Sequence, residues 1–212
     1  MSNTRTTIVK NAGVLVATQV VTWVLTLFLT IFLPRYLGPE AMGSLGISWA
    51  IWAIVTVLAK FGMNVLLFKE VARDHERAPD LLGASLVLRV LFFIVGYGLV
   101  LTYLQFVDYS PLTVSVVMVM GFYHLSILLY EGYQFSLQGM EKMQYVSLAS
   151  IGGKVINTVV GISVLLLGYG IFAITSVYIA SGVVTLLLMA LFFAPVLPPA
   201  SDLQRSQALE YS

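Results

Sequence analysis

The sequence predicts an all-α, polytopic membrane protein with six transmembrane helices, and three observations predict it. Hydrophobic residues make up 59% of the 212 residues and charged ones only 10%, with a mean hydropathy of +0.94; soluble domains carry about 25% charged residues. Apolar stretches of roughly 20 residues or more, the length needed to cross about 30 Å of hydrocarbon, recur six times. A helix is the one open-ended element that satisfies its own backbone groups in lipid, so no sheet is expected.

The spans fall near 12–33, 43–68, 81–107, 112–137, 145–167 and 171–194. Arg5 and Lys10 precede the first, whose apolar run is too long for a signal peptide and lacks a small-x-small cleavage site, so it is retained as a helix. Pro34 with Gly38-Pro39 ends it, and the charged run from Lys69 to Asp80 separates the second and third. Asp108-Tyr109-Ser110-Pro111 turns the chain into the fourth, Gln138 to Lys142 into the fifth, and Gly168-Tyr169-Gly170 into the sixth. Residues 1–194 read as one membrane lobe. Residues 195–212, opening on Pro195, Pro198 and Pro199, read as a cytoplasmic tail or the approach to a further helix.

Orientation follows from the basic residues outside the spans. Arg5, Lys10, Lys69, Arg73, Arg77, Lys142 and Arg205 fall on one side and Arg35 alone on the other. That asymmetry predicts both termini in the cytoplasm.

Polar residues inside the spans carry the functional signal, because a charge at that depth costs about 2.5–3.5 kcal/mol on insertion scales and ordinarily faces a bundle interior or a hydrated cavity. In the first span Asn11, Thr18, Thr22, Thr26 and Thr30 share a face, with Gln19 beside it. This stripe fits either hydroxyl-mediated packing or a cavity wall. In the second, Trp52, Thr56, Lys60 and Asn64 recur every four residues; Lys60 either snorkels to the headgroups or faces a cavity. Ser85 and Arg89 stand four apart in the third, and the guanidinium suits either a phosphate or an ion pair with Glu131. The fourth carries His124, Glu131, Gln134 and Gln138 within about 80° of one face. Glu131, the one embedded acid, is a coupling-site or salt-bridge candidate, and His124 is an interior histidine or a transport residue. The fifth places Ser147, Ser150, Lys154, Asn157 and Gly161 on one seam, with Lys154 near the midplane and too deep to snorkel cheaply. The candidate cavity residues are therefore Lys60, Arg89, Lys154, Asn64, Asn157 and Gln19. Three cations against one acid favour an anionic cargo.

Other classes fit less well. There is no P-loop, no H-E-x-x-H, no G-x-S-x-G and no paired-acid arrangement, so no enzyme activity, cofactor or nucleic-acid partner is expected. Two distant histidines, His75 and His124, and no cysteine give no basis for a metal site.

Short motifs add a resemblance. Arg35-Tyr36-Leu37-Gly38-Pro39-Glu40 with Gly43, Phe61-Gly62-Met63 running into Lys69-Glu70-Val71-Ala72-Arg73, Leu137-Gln138-Gly139-Met140-Glu141-Lys142 and Gly168-Tyr169-Gly170-Ile171 occur in order against the spans. Over residues 5–194 the chain resembles the polysaccharide-biosynthesis flippases, of O-antigen and teichuronic-acid type, of the multidrug/oligosaccharidyl-lipid/polysaccharide exporter superfamily. The resemblance implies one six-helix lobe of a two-lobed transporter that passes a polyprenyl-pyrophosphate-linked oligosaccharide across the cytoplasmic membrane by alternating access. It implies that Lys60, Arg89 and Lys154 form a cationic wall facing the lipid-linked anionic glycan. Its partners would be membrane lipids, that glycan, and a second six-helix lobe, supplied by a missing C-terminal half or by a parallel homodimer. The competing readings are a cation-coupled multidrug exporter of the same superfamily, which would want embedded acids, and a membrane scaffold without transport.

Overall fold

The computed structural model describes residues 2–196, and among them the chain is helical with no strand. The helices are α1 (Ser2–Lys60), α2 (Met63–Arg73), α3 (Ala78–Phe106), α4 (Pro111–Gly139), α5 (Met143–Leu166) and α6 (Ile171–Phe193), followed by a 3-10 turn, Ala194–Val196. Five helical stretches are long and apolar enough to cross a membrane; the first, residues 12–73, joins α1 to α2. Apart from Pro195 and Val196, the expected tail lies outside the described residues.

At 59 residues α1 would reach about 88 Å if straight. It is not straight. Gly38 adopts φ 76°, ψ 172°, a region open almost only to glycine, and Pro39 restarts the helix without needing a donor. Side-chain contacts show the reversal. Before Gly38, Thr158 Oγ1 donates to Leu25 O at 3.2 Å, and Leu29 packs over Gly161, so this arm ascends with α5. After it, Ser44 meets Thr113 at 2.9 Å, Trp52 Nε1 donates to Val117 O at 2.8 Å and Lys60 reaches Glu131, so the second arm ascends with α4. A three-residue connection makes α4 and α5 antiparallel neighbours. The two arms of α1 are therefore antiparallel as well.

Of the expected break, Pro34 with Gly38-Pro39, the turn falls at Gly38, and the helix runs through Pro34. Proline is tolerated within membrane helices because neighbouring groups take up the freed carbonyl, whereas Gly38 supplies a backbone conformation no other residue holds cheaply. The expected second span, 43–68, is interrupted at Phe61 (φ 25°) and Gly62 (φ 76°), and its continuation α2 extends to Arg73. Helix α3 starts earlier than expected, with proline in its first turn. Ser110 caps α4 by accepting from the Thr113 N–H at 3.2 Å.

Two apolar clusters fill the interior. One gathers Leu29, Trp52, Phe93, Met120, Leu128, Leu165 and Tyr178; the other gathers Leu67, Leu82, Leu137, Val146, Met189 and Phe193. Lys60 and Asn64, Arg89, Glu131, Lys154 and Asn157, and Ser181 and Thr185 each lie between the stretches of chain that supply the two clusters. The bundle thus has one polar layer sandwiched between two apolar ones.

Candidate functional site: a sealed charge network and an open cationic cleft

The polar layer divides into two halves on either side of α4. The sealed half lies among the second arm of α1, α2, α3 and α4. Lys60 Nζ donates to Glu131 Oε1 at 2.7 Å and Asn64 Nδ2 donates to Glu131 Oε2 at 3.1 Å. Arg89 completes it from α3. Its Nε donates to Ser85 Oγ at 3.0 Å, its Nη1 to Leu128 O at 2.8 Å and its Nη2 to Asn64 Oδ1, while Nη1 stands 4.0 Å from Glu131 Oε2. Gly132 faces α3 at this crossing, where a Cβ would meet the side-chain ends of Leu82 and Leu86 at 3.2 Å.

Arg89 has no exposed surface, and each of its three guanidinium nitrogens donates to a protein atom. Lys60 and Asn64 are turned toward Glu131. Glu131 occupies the salt-bridge alternative, because a lone carboxylate in an apolar surrounding draws the nearest donors that its helix face can reach. His124, one face with Glu131, lies flat on Trp52 (centroids 5.8 Å, 18° between planes) and edge-on to Tyr123 (5.5 Å). Its Nε2 is buried without a hydrogen-bond partner among the described residues.

The open half lies among the first arm of α1, α4, α5 and α6, and forms a half-open cleft of about 330 Å³. Gln19, Thr22 and Thr26 line it from α1, Tyr123, Tyr130 and Gln134 from α4, Ser150, Lys154 and Asn157 from α5, and Ser181 and Thr185 from α6. Lys154 is the one charged lining residue, half-buried, with no ion-pair partner among the described residues. Asn157 Nδ2 donates to Ser181 Oγ at 3.0 Å, which ties α5 to α6 one turn from the ammonium. Glycines make room: a Cβ on Gly153 would collide with the Thr185 hydroxyl. The structure thus brings together Lys154, Asn157 and Gln19, and separates them from Lys60, Asn64 and Arg89.

The threonine stripe of the first arm serves both readings. Thr18, Thr22, Thr26 and Thr30 back-bond to carbonyls three or four residues earlier, and Thr22 and Thr26 also face the cleft. The Asn11 side chain lies outside the described residues. Gln134, grouped with Glu131 from the sequence, lines the cleft instead. The sequence reading missed Trp23, Tyr123 and Tyr130, which put three aromatic rings around the ammonium's cleft. The seven- and four-residue spacing of Tyr123, Tyr130 and Gln134 is the signal that marks them as one face. Chemically, a cation flanked by amides, hydroxyls and aromatic rings suits a polar, anionic ligand with flat apolar surfaces.

Neither curated proteins nor solved structures gave a match. The model of the family described as "Polysaccharide biosynthesis protein" matches residues 8–199. With that match spanning the described bundle from the first arm of α1 to the end of α6, the chain belongs to the polysaccharide biosynthesis protein family.

Proposed function

We propose that this multi-pass membrane protein forms one lobe of a transporter that carries a polyprenyl-pyrophosphate-linked, anionic oligosaccharide from the inner to the outer leaflet of the cytoplasmic membrane by alternating access. The observation that carries the reading is Lys154, an embedded cation with no acid partner among the described residues, set in a polar cleft. An unpaired buried charge is expensive to keep in a membrane and marks a functional position by default. Membership of a polysaccharide biosynthesis family supports a glycan as the cargo and transport, not catalysis, as the task.

In this reading the two arms of α1 cross the membrane separately, giving six crossings with both termini cytoplasmic; the antiparallel arms and the basic loops support it. The cleft is open on one side, which suits closure against a second six-helix lobe, with the cargo held between. Lys154 faces the phosphate or an acidic sugar, Gln19 and Gln134 face hydroxyls, and the aromatic rings face sugar planes, with Asn157 bracing α5 on α6 behind them.

The test is complementation in cells lacking their own exporter of this type. Lys154→Gln lowers surface polysaccharide at least about tenfold, the loss of one charge-assisted contact of roughly 1.5–3 kcal/mol, while Lys154→Arg retains most of it. Full export by a well-expressed Lys154→Gln protein would overturn the assignment.

A further inference from the structure

The junction of α1 and α2 combines a strained backbone with a carboxylate that grips both of its sides. Phe61 takes φ 25° and Gly62 φ 76°. A bulky residue at positive φ is an outlier, costing on the order of 1–3 kcal/mol, and it persists only where the surroundings over-determine it.

The phenylalanine side chain does not hold it there, being 83% exposed. An open apolar cleft of about 370 Å³ lies between the end of the α1 arm and α3 at Leu58, Phe61, Phe92 and Val95, just beyond the close contact of Val55 with Gly96. A second gap, of about 150 Å³, lies beyond the break between α2 and α3 at Met63, Leu66 and Leu88.

What spans the break is Glu131. One carboxylate oxygen takes Lys60, the last residue of α1, at 2.7 Å, and the other takes Asn64, in the first turn of α2, at 3.1 Å. Arg89 backs the clasp by donating to Asn64 and to Leu128 O on the helix that carries Glu131.

We propose that Glu131 is a clasp that fixes the angle between α1 and α2, and that α2 pivots about Phe61–Gly62 when the clasp opens. This goes beyond the transport reading and stands or falls independently of the cargo. The 11 residues of α2 extend about 16 Å, so a change of about 20° displaces its far end by about 6 Å. The basic end of α2, with Lys69 and Arg73, would move with it.

The chain has no cysteine, so spin labels can be placed at will. In lipid nanodiscs, a pair at Arg73→Cys and Gln144→Cys measures α2 against α5 across the break. A pair at Asp80→Cys and Gln144→Cys measures α3 against α5 and does not cross it. Glu131→Gln should shift or broaden the first distance distribution by about 5 Å and leave the second unchanged. Lys60→Met, which removes one side of the clasp and spares the Asn64 contact, should broaden the first pair to a smaller extent; it carries the test if Glu131→Gln does not fold. An unchanged first pair in the folded variants, or equal broadening of both pairs, overturns the proposal.

Discussion

Removing the carboxylate of Glu131 should cost more stability than removing either charge it pairs with, because the sealed network is already one negative charge short. Lys60 and Arg89 contribute two positive charges against one carboxylate, at 2.7 Å and 4.0 Å. Glu131→Gln keeps the shape and an acceptor but leaves two cations facing each other. At 4 Å and an effective dielectric of about 20, each lost attraction is about 4 kcal/mol, partly offset by no longer burying the carboxylate itself. Breaking a buried pair by deleting one partner costs about 3–5 kcal/mol, and that is the expected loss. The Lys60 and Glu131 side chains are only 27% and 16% exposed, so solvent screening reduces this little. Lys60→Met behaves differently: it leaves Arg89 and Glu131 as a balanced pair, so its expected cost is about 1–2 kcal/mol, one charge-assisted hydrogen bond. The double variant, left with Arg89 alone, should fall short of the summed losses by about 1–3 kcal/mol. Reversible unfolding in mixed micelles, followed by far-ultraviolet circular dichroism, measures all three. The charge-balance argument is refuted if Lys60→Met proves as damaging as Glu131→Gln, or if the two losses simply add.

Two glycines give further expectations. Gly38→Ala forces a Cβ into φ 76°, ψ 172° and should lower stability by about 1–3 kcal/mol in the same assay, although nothing lies within 4 Å of the added methyl; no measurable change would mean that the reversal between the arms of α1 is not built on that conformation. Gly139→Ala sets a methyl 2.9 Å from the Phe68 carbonyl and 3.0 Å from Val71, so it should cost about 1–3 kcal/mol by driving α2 away from the end of α4. The label pair between α2 and α5 reads that displacement directly, and an unmoved distance would count against the close crossing.

Hydropathy and breaker residues were enough to locate the apolar segments, because lipid imposes a length and a backbone requirement that local sequence alone must meet. Helix ends were less legible. Pro34 and Gly38-Pro39 together read as a break, but only the backbone conformation at Gly38 distinguishes a reversal from a kink. The candidate site was half legible. Depth sets Lys154 apart from Lys60 and Arg89, but nothing in the local sequence says that a single acid will pair with both of the latter. That outcome depends on which face of α4 carries Glu131 and on Gly132 facing α3, both tertiary facts. Gln134 and Glu131 illustrate the limit: three residues apart and assigned to one face, one lines the cleft and the other is taken into the charge network.

Separating the two halves of the polar layer has a physical consequence for any cargo. An anion entering the cleft gains the Lys154 ammonium, which the protein has left without a competing carboxylate among the described residues. If Glu131 faced the same space, it would neutralise that attraction and repel the cargo at close range. Its capture by Lys60 and Asn64 removes the opposing charge from the cleft, while the surplus cation of the network keeps the field across α4 positive. The acid thus does two compatible jobs: it holds the broken helix together on one side of α4 and leaves the other side electrostatically suited to an anion. Moving the carboxylate to the cleft face, by Gln134→Glu with Glu131→Gln, should therefore abolish surface polysaccharide even where the fold survives; export by that folded variant would show that the positive balance of the cleft is not what the cargo reads.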